Sequence, residues 1–139
     1  MAANTTSIKI FTTKTAVKEI GSIMRKCKHQ MRYFDTCYVE QWYGDKRVFC
    51  YVLYEDGVPV SFALLSTCDF DPMKEYANPK MLNFIYTLEG HRRKGYALQL
   101  VEHVKKNNQF TVCCNSDDSK NLFEKSNCKR LDDLMYRHP

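Results

Sequence analysis

The sequence predicts a single α/β (α+β) domain, residues 1–139, built as a mixed β-sheet with helices on both faces. Three observations lead there. The chain has 139 residues and 44% hydrophobic content, close to the ~150 residues of one domain and enough for one core. Two β-type runs in the middle are joined by a hairpin turn signal, and the second half alternates strand and helix patterns. Hairpins give antiparallel neighbours, whereas strand–helix–strand units give parallel ones, so the sheet is mixed.

Ser7 to Thr13 alternates apolar and polar residues, the period of a strand with one covered face. From Thr15 to about His29, Val17, Ile20, Ile23, Met24 and Cys27 recur every three or four residues, an amphipathic helix for which Thr13 or Thr15 is available as cap. Met31 to Asp45 carries Tyr33, Phe34, Tyr38, Trp42 and Tyr43 without a clear period. It reads as a short helix and loop. Arg47 to Tyr54 and Val58 to Leu65 are β-branched and aromatic runs around Glu55-Asp56-Gly57, which predicts an antiparallel pair. Pro72 and Pro79 break the chain before a further strand, Met81 to Leu88. Tyr96 to Lys106 aligns Ala97, Leu100, Val101 and Val104 on one face, with Lys105 and Lys106 at the negative end of the helix dipole. Phe110 to Cys114 reads as a buried strand, Asp117 to Lys125 as a helix and Leu131 to Tyr136 as the last strand. The predicted order is β-α-α-β-β-β-α-β-α-β.

Composition excludes several classes. Five Gly, four Pro and 13% aromatics do not suit a collagenous or disordered chain. No run reaches the ~18 apolar residues of a membrane helix, and Met1 to Thr13 lacks the pattern of a secretory signal, so a soluble cytoplasmic protein without a membrane partner is expected. Seven cysteines without a C-x-x-C pair point to free thiols in a reducing compartment. His29, His91, His103 and His138 have no metal-ligand spacing, and no metal is implied. The net charge of +5 is shared by both halves of the chain. It permits an anionic partner without demanding one.

One segment concentrates chemistry: Glu89-Gly90-His91-Arg92-Arg93-Lys94-Gly95-Tyr96-Ala97, between a predicted strand and a predicted helix. A turn there presents backbone N–H groups at a positive helix end, where a diphosphate binds readily. Gly95 lets backbone and phosphate approach closely, Ala97 keeps the helix start thin, and Arg92, Arg93 and Lys94 add charge. Without Gly-Lys-Ser/Thr it is not a Walker loop, and one glycine does not make a dinucleotide fingerprint.

Arg92-x-x-Gly95-x-Ala97 resembles the Arg/Gln-x-x-Gly-x-Gly/Ala signature of the GNAT family of N-acetyltransferases. Ser119-x-x-Leu122-Phe123-Glu124-Lys125 is similar to that family's Asn-x-x-Ala-x-x-Leu-Tyr-Glu-Lys pattern. The resemblance implies a sheet splayed between its fourth and fifth strands, with acetyl-CoA as co-substrate lying in the gap. It implies that backbone groups of Tyr86, Thr87 and Leu88 pair with the pantetheine amides and that amides from Arg92 to Ala97, Tyr96 included, hold the diphosphate. Asn115 or Ser116, with Ser119, Leu122 and Phe123, would line the other wall. The implied activity is acetyl transfer from acetyl-CoA to a primary amine of a small molecule or protein, by direct attack on the thioester, in a monomer or homodimer.

Two proton transfers need residues. The acceptor amine must lose its proton to a carboxylate or to water, and Glu89 is the nearest carboxylate in sequence. The family's Tyr, taken to protonate the leaving thiolate, is replaced by Phe123, which has no proton to give. Either the thiolate leaves unaided, or water, Tyr96 or Tyr136 substitutes, or the chain is a silent acyl-CoA-binding module. A nucleic-acid partner is the alternative for the basic run. It is disfavoured because the basic residues cluster only once and the aromatics alternate as core residues do.

Overall fold

A computed structural model describes residues 5–27, 47–67, 80–88, 90–91, 94–114, 117–131 and 135–138. Its elements are β1 (Thr6–Thr12), α1 (Thr13–Cys27), β2 (Val48–Glu55), β3 (Val58–Thr67), β4 (Lys80–Thr87), α2 (Tyr96–Asn107), β5 (Phe110–Cys113), α3 (Asp117–Lys125), β6 (Lys129–Arg130) and β7 (Met135–His138). The expected short helix between Met31 and Asp45 falls outside the described residues. The last strand begins at Met135 rather than the predicted Leu131; Leu131 instead follows β6, its amide donating to the Met135 carbonyl at 2.8 Å in line with the β6–β7 pairing. Among the described residues, no helix is long and apolar enough to cross a membrane.

The described strands form one seven-stranded sheet in the order β1-β2-β3-β4-β5-β7-β6. All neighbours are antiparallel except β4 and β5, which are parallel and joined through α2. The β2–β3 turn is tight because Asp56 (φ 52°) and Gly57 (φ 83°) both take left-handed conformations, the geometry that matches strand twist in a two-residue hairpin.

Successive residues of β2 are buried on opposite faces, so the middle of the sheet is covered twice. On one side Ala16, Ile20 and Ile23 of α1 pack with Cys50, Val52, Phe62 and Leu64. On the other, Leu100, Val101 and Val104 of α2 and Phe123 of α3 pack with Tyr51, Leu53, Leu65 and Phe110. Of the two threonines offered as cap, Thr15 lies inside α1, its hydroxyl donating to the Thr12 carbonyl at 2.7 Å. Cys50, Cys113, Cys114 and Cys128 form no disulfide. Burial pushes the thiols of Cys50 to about 12 and Cys114 to about 11, which makes both inert core residues.

The sheet opens where β4 outgrows β5. Pairing between them covers only Lys80–Phe110, Met81–Thr111 and Leu82–Val112, while β4 continues to Thr87. At the same place the β3–β4 register slips: Leu64 pairs with Phe84 but Leu65 with Leu82, which leaves Asn83 as a bulge. A bulge bends its strand and adds twist, and beyond it β4 leaves its parallel neighbour.

Candidate functional site

A groove of ≈ 670 Å³ occupies this opening. Ile85, Tyr86 and Thr87 of β4 make one wall, and Asp118, Ser119, Asn121, Leu122 and Lys125 of α3 make the other. His91 and the start of α2, Gly95 to Leu98, close one end. The α3 residues form a stripe because positions three and four apart share a helix face.

The β4 wall is oriented by its ladder. The Leu88 amide donates to the Val60 carbonyl at 2.8 Å. Hydrogen-bonding partners alternate along an antiparallel strand, so the backbone of Tyr86 and Leu88 addresses β3, and that of Ile85 and Thr87 is directed to the open side. This corrects two expectations. Leu88 is buried, lies off the groove and has its amide engaged by β3. Tyr86 contributes its side chain to the wall, half-buried against the Phe62 ring at 5.9 Å between centroids.

The end of the groove is a helix N-terminus left open. The Gln99 amide donates to the Gly95 carbonyl at 3.0 Å, the first turn of α2, so the amides of Tyr96, Ala97 and Leu98, which come before that first donor, have no intrahelical acceptor. No side chain caps them, and the first turn carries no acidic residue. Gly95 stands at φ 78°, and a Cβ built there would meet nothing within 4 Å. Positive φ favours glycine, and the open space over it is where a bulky anion can approach the backbone. Donors, charge and shape therefore fit a diphosphate here and an extended amide-bearing arm along β4.

Lys94 is placed less simply than the sequence suggests. Its Nζ lies 3.7 Å from Glu55 Oε2, and His91 Nδ1 lies 3.5 Å from Glu55 Oε1. Lys94 also sits 5.9 Å from the ring centroid of Tyr96, a buried residue on the groove. Glu89, Arg92, Arg93, Asn115 and Ser116 fall outside the described residues.

A family model for the acetyltransferase (GNAT) family matches residues 17–125. The chain belongs to that family. The expectation of an N-acetyltransferase stands on this membership. No curated protein sequence matches the chain significantly. Among solved structures it is similar to the aminoglycoside N-acetyltransferase AAC(6')-Iy in complex with CoA, at 17% identity and TM-score 0.66 over 94% of this chain and 92% of that one. It is also similar to Arabidopsis thaliana NAA60 in complex with acetyl-CoA, at 12% identity and TM-score 0.62 over 95% and 98%. A mutant AtaT toxin bound to the C-terminus of its antitoxin AtaR gives 14% identity and TM-score 0.65 over 97% and 92%. At these identities the likeness is one of fold.

Within this GNAT fold, Thr87, Gly95, Tyr96, Ala97, Ser119 and Leu122 of the named residues line the groove. Phe123 does not. It is fully buried, with ring centroids 6.4 Å from Phe110 and 6.5 Å from Tyr136. One residue is about 100° of helix turn, so Leu122 facing the groove sends Phe123 into the core. Tyr136 is also removed from the wall: it is buried in that cluster, and its hydroxyl donates to Glu124 Oε1 at 2.7 Å. That hydrogen bond, with burial, raises its pKa. The sequence reading missed Ile85, His91, Leu98, Asp118, Asn121 and Lys125. Alternation from Thr87 and the helical period from Leu122 were the signals that would have found Ile85, Asp118 and Lys125.

Proposed function

We propose that this GNAT chain transfers an acetyl group from acetyl-CoA to a primary amine by direct attack on the thioester. The observation that carries the reading is the groove itself. It joins the side of β4 that has left β5 to the uncapped N-terminus of α2. An extended pantetheine arm suits the first part, and a diphosphate suits the second.

When bound, the co-substrate supplies the activated acetyl group. The chain orients it and stabilises developing charge. Backbone groups of Ile85 and Thr87 directed at the groove are the polar partners along β4, and fixed N–H donors are the strongest single aid to acyl transfer. The acceptor must reach the carbonyl as a neutral amine, and we assign its deprotonation to Glu89. On the leaving side a thiol has an ordinary pKa of about 8.5 and departs readily, so the need for an acid is modest. Of the two tyrosines only Tyr96 lines the groove, and it does so at the diphosphate end, so the thiolate leaves unaided or takes its proton from water.

Titration with acetyl-CoA and CoA, followed by thiol release against a panel of primary amines, tests this. A ligand at 100 times its dissociation constant stabilises by about 2.7 kcal/mol, a clear thermal shift. Absence of a shift with both ligands refutes the reading. Binding of both without thiol release from any amine reduces the chain to an acyl-CoA-binding module.

A further inference from the structure

Glu55 closes β2, far in sequence from the α2 loop, yet its side chain is only 10% exposed, and its two oxygens face His91 Nδ1 and the Lys94 ammonium of that loop. The carboxylate is mounted on the sheet, since Glu55 pairs with Thr6 on one side and Val58 on the other. His91 is held to the end of β4, its amide donating to the Leu88 carbonyl at 3.1 Å. At 3.5 and 3.7 Å the two contacts to Glu55 lie outside hydrogen-bond geometry, the second of them an ion pair, and Glu55 Oε2 and His91 Nδ1 have no hydrogen-bond partner. A carboxylate this enclosed requires opposite charge nearby, and it finds that charge in the groove-lining loop.

We infer that Glu55 is a positioning residue for the diphosphate end of the groove. It fixes His91 and Lys94 against the rigid β2–β3 hairpin, so that the turn carrying Gly95 holds its shape before any ligand arrives. This rests on the acetyl-CoA reading and deepens it. A preorganised loop binds more tightly because less ordering remains to be done on binding. Lys94 is correspondingly not a loose counter-charge waiting for phosphate. Its ammonium is already directed toward Glu55, and backbone N–H groups at the start of α2 carry the main anion recognition.

The test is a double-mutant cycle on CoA affinity, measured by calorimetry with melting temperatures recorded in parallel. Glu55→Gln keeps the shape and removes the charge, and is expected to weaken CoA about two- to fivefold, the range for losing a partly screened ion pair. Lys94→Met is expected to weaken CoA as well, and the double variant by less than the product of the two single effects, because both changes break the same contact. A melting temperature lowered with CoA affinity unchanged would mean a role confined to folding, and affinity effects that multiply fully would mean that Glu55 and Lys94 act independently. Either result overturns the inference, as does Glu55→Gln binding CoA as well as or better than wild type. If wild-type protein binds no CoA, the acetyl-CoA reading fails and this inference with it; wild-type binding with an unaltered Glu55→Gln removes the inference alone.

Discussion

Gly95→Ala separates backbone strain from ligand recognition. At φ 78° an L-residue sits in the left-handed region, which costs roughly 1–2 kcal/mol. The added Cβ meets no protein atom within 4 Å, so strain is the whole cost to folding. For a chain of this size the melting temperature should fall by about 3–6 °C. The effect on ligand is separate. The Cβ projects at the groove end where an anion must come within hydrogen-bond distance of the amides. Losing one charge-assisted hydrogen bond is worth about 1.5–3 kcal/mol, or about 10- to 150-fold in CoA affinity. Gly57→Ala is the control, because it has nearly the same φ of 83° and equally open space, in the β2–β3 turn away from the groove lining. Both variants should lose similar melting temperature, and only Gly95→Ala should lose CoA by calorimetry. Gly95→Glu adds a negative charge and should abolish binding at the same strain. If Gly95→Ala binds CoA as Gly57→Ala does, the diphosphate does not lie over Gly95.

Four further outcomes follow from the same structure. Phe123→Tyr inserts a hydroxyl into a buried aromatic cluster, which should cost about 1–3 kcal/mol in chemical denaturation without raising kcat; a faster enzyme would put this ring at the sulfur. Tyr136→Phe should leave kcat in thiol-release assays unchanged, because that hydroxyl serves Glu124. CoA affinity should weaken as salt rises from low to physiological, because the Lys94 ammonium is partly exposed and exposed charges are screened; salt-independent calorimetry would contradict this. Burial, with Lys105 adding to it, holds His138 below its ordinary 6.5, so the folded state resists the proton and stability declines as pH falls from 6.5 toward the folded value. Denaturation at several pH values should show that slope, and His138→Gln should flatten it.

Where a local period was strong, the sequence was a sufficient guide. Ser7 to Thr13, the two runs around Asp56-Gly57 and the face of Leu100, Val101 and Val104 all became elements nearly as read. β6 was missed because two residues, Lys129 and Arg130, are too few to show a period. At the site, the glycine turn was legible because φ at Gly95 and an open helix end are local properties. Helix phase was harder: the family pattern located Leu122 and Phe123 together, and only packing of Phe110 and Tyr136 decides which of the two turns inward. Glu55 was illegible for another reason. Its partners His91 and Lys94 come near only after β2, β3 and β4 are laid side by side, and no spacing in the chain announces that.

The short β4–β5 ladder has a mechanical consequence. Three residue pairs are the register that joins β1–β4 to the β5–β7–β6 block across the sheet. The molecule is thus two half-sheets meeting at a narrow seam, braced from above by α2. Such a seam is the place where the halves can rock against each other, and anything laid along it behaves as a strut. Filling the groove should then stiffen the contact between blocks that the backbone ladder barely stitches, so that amide exchange slows in β5 and β7 as well as in the residues a ligand touches.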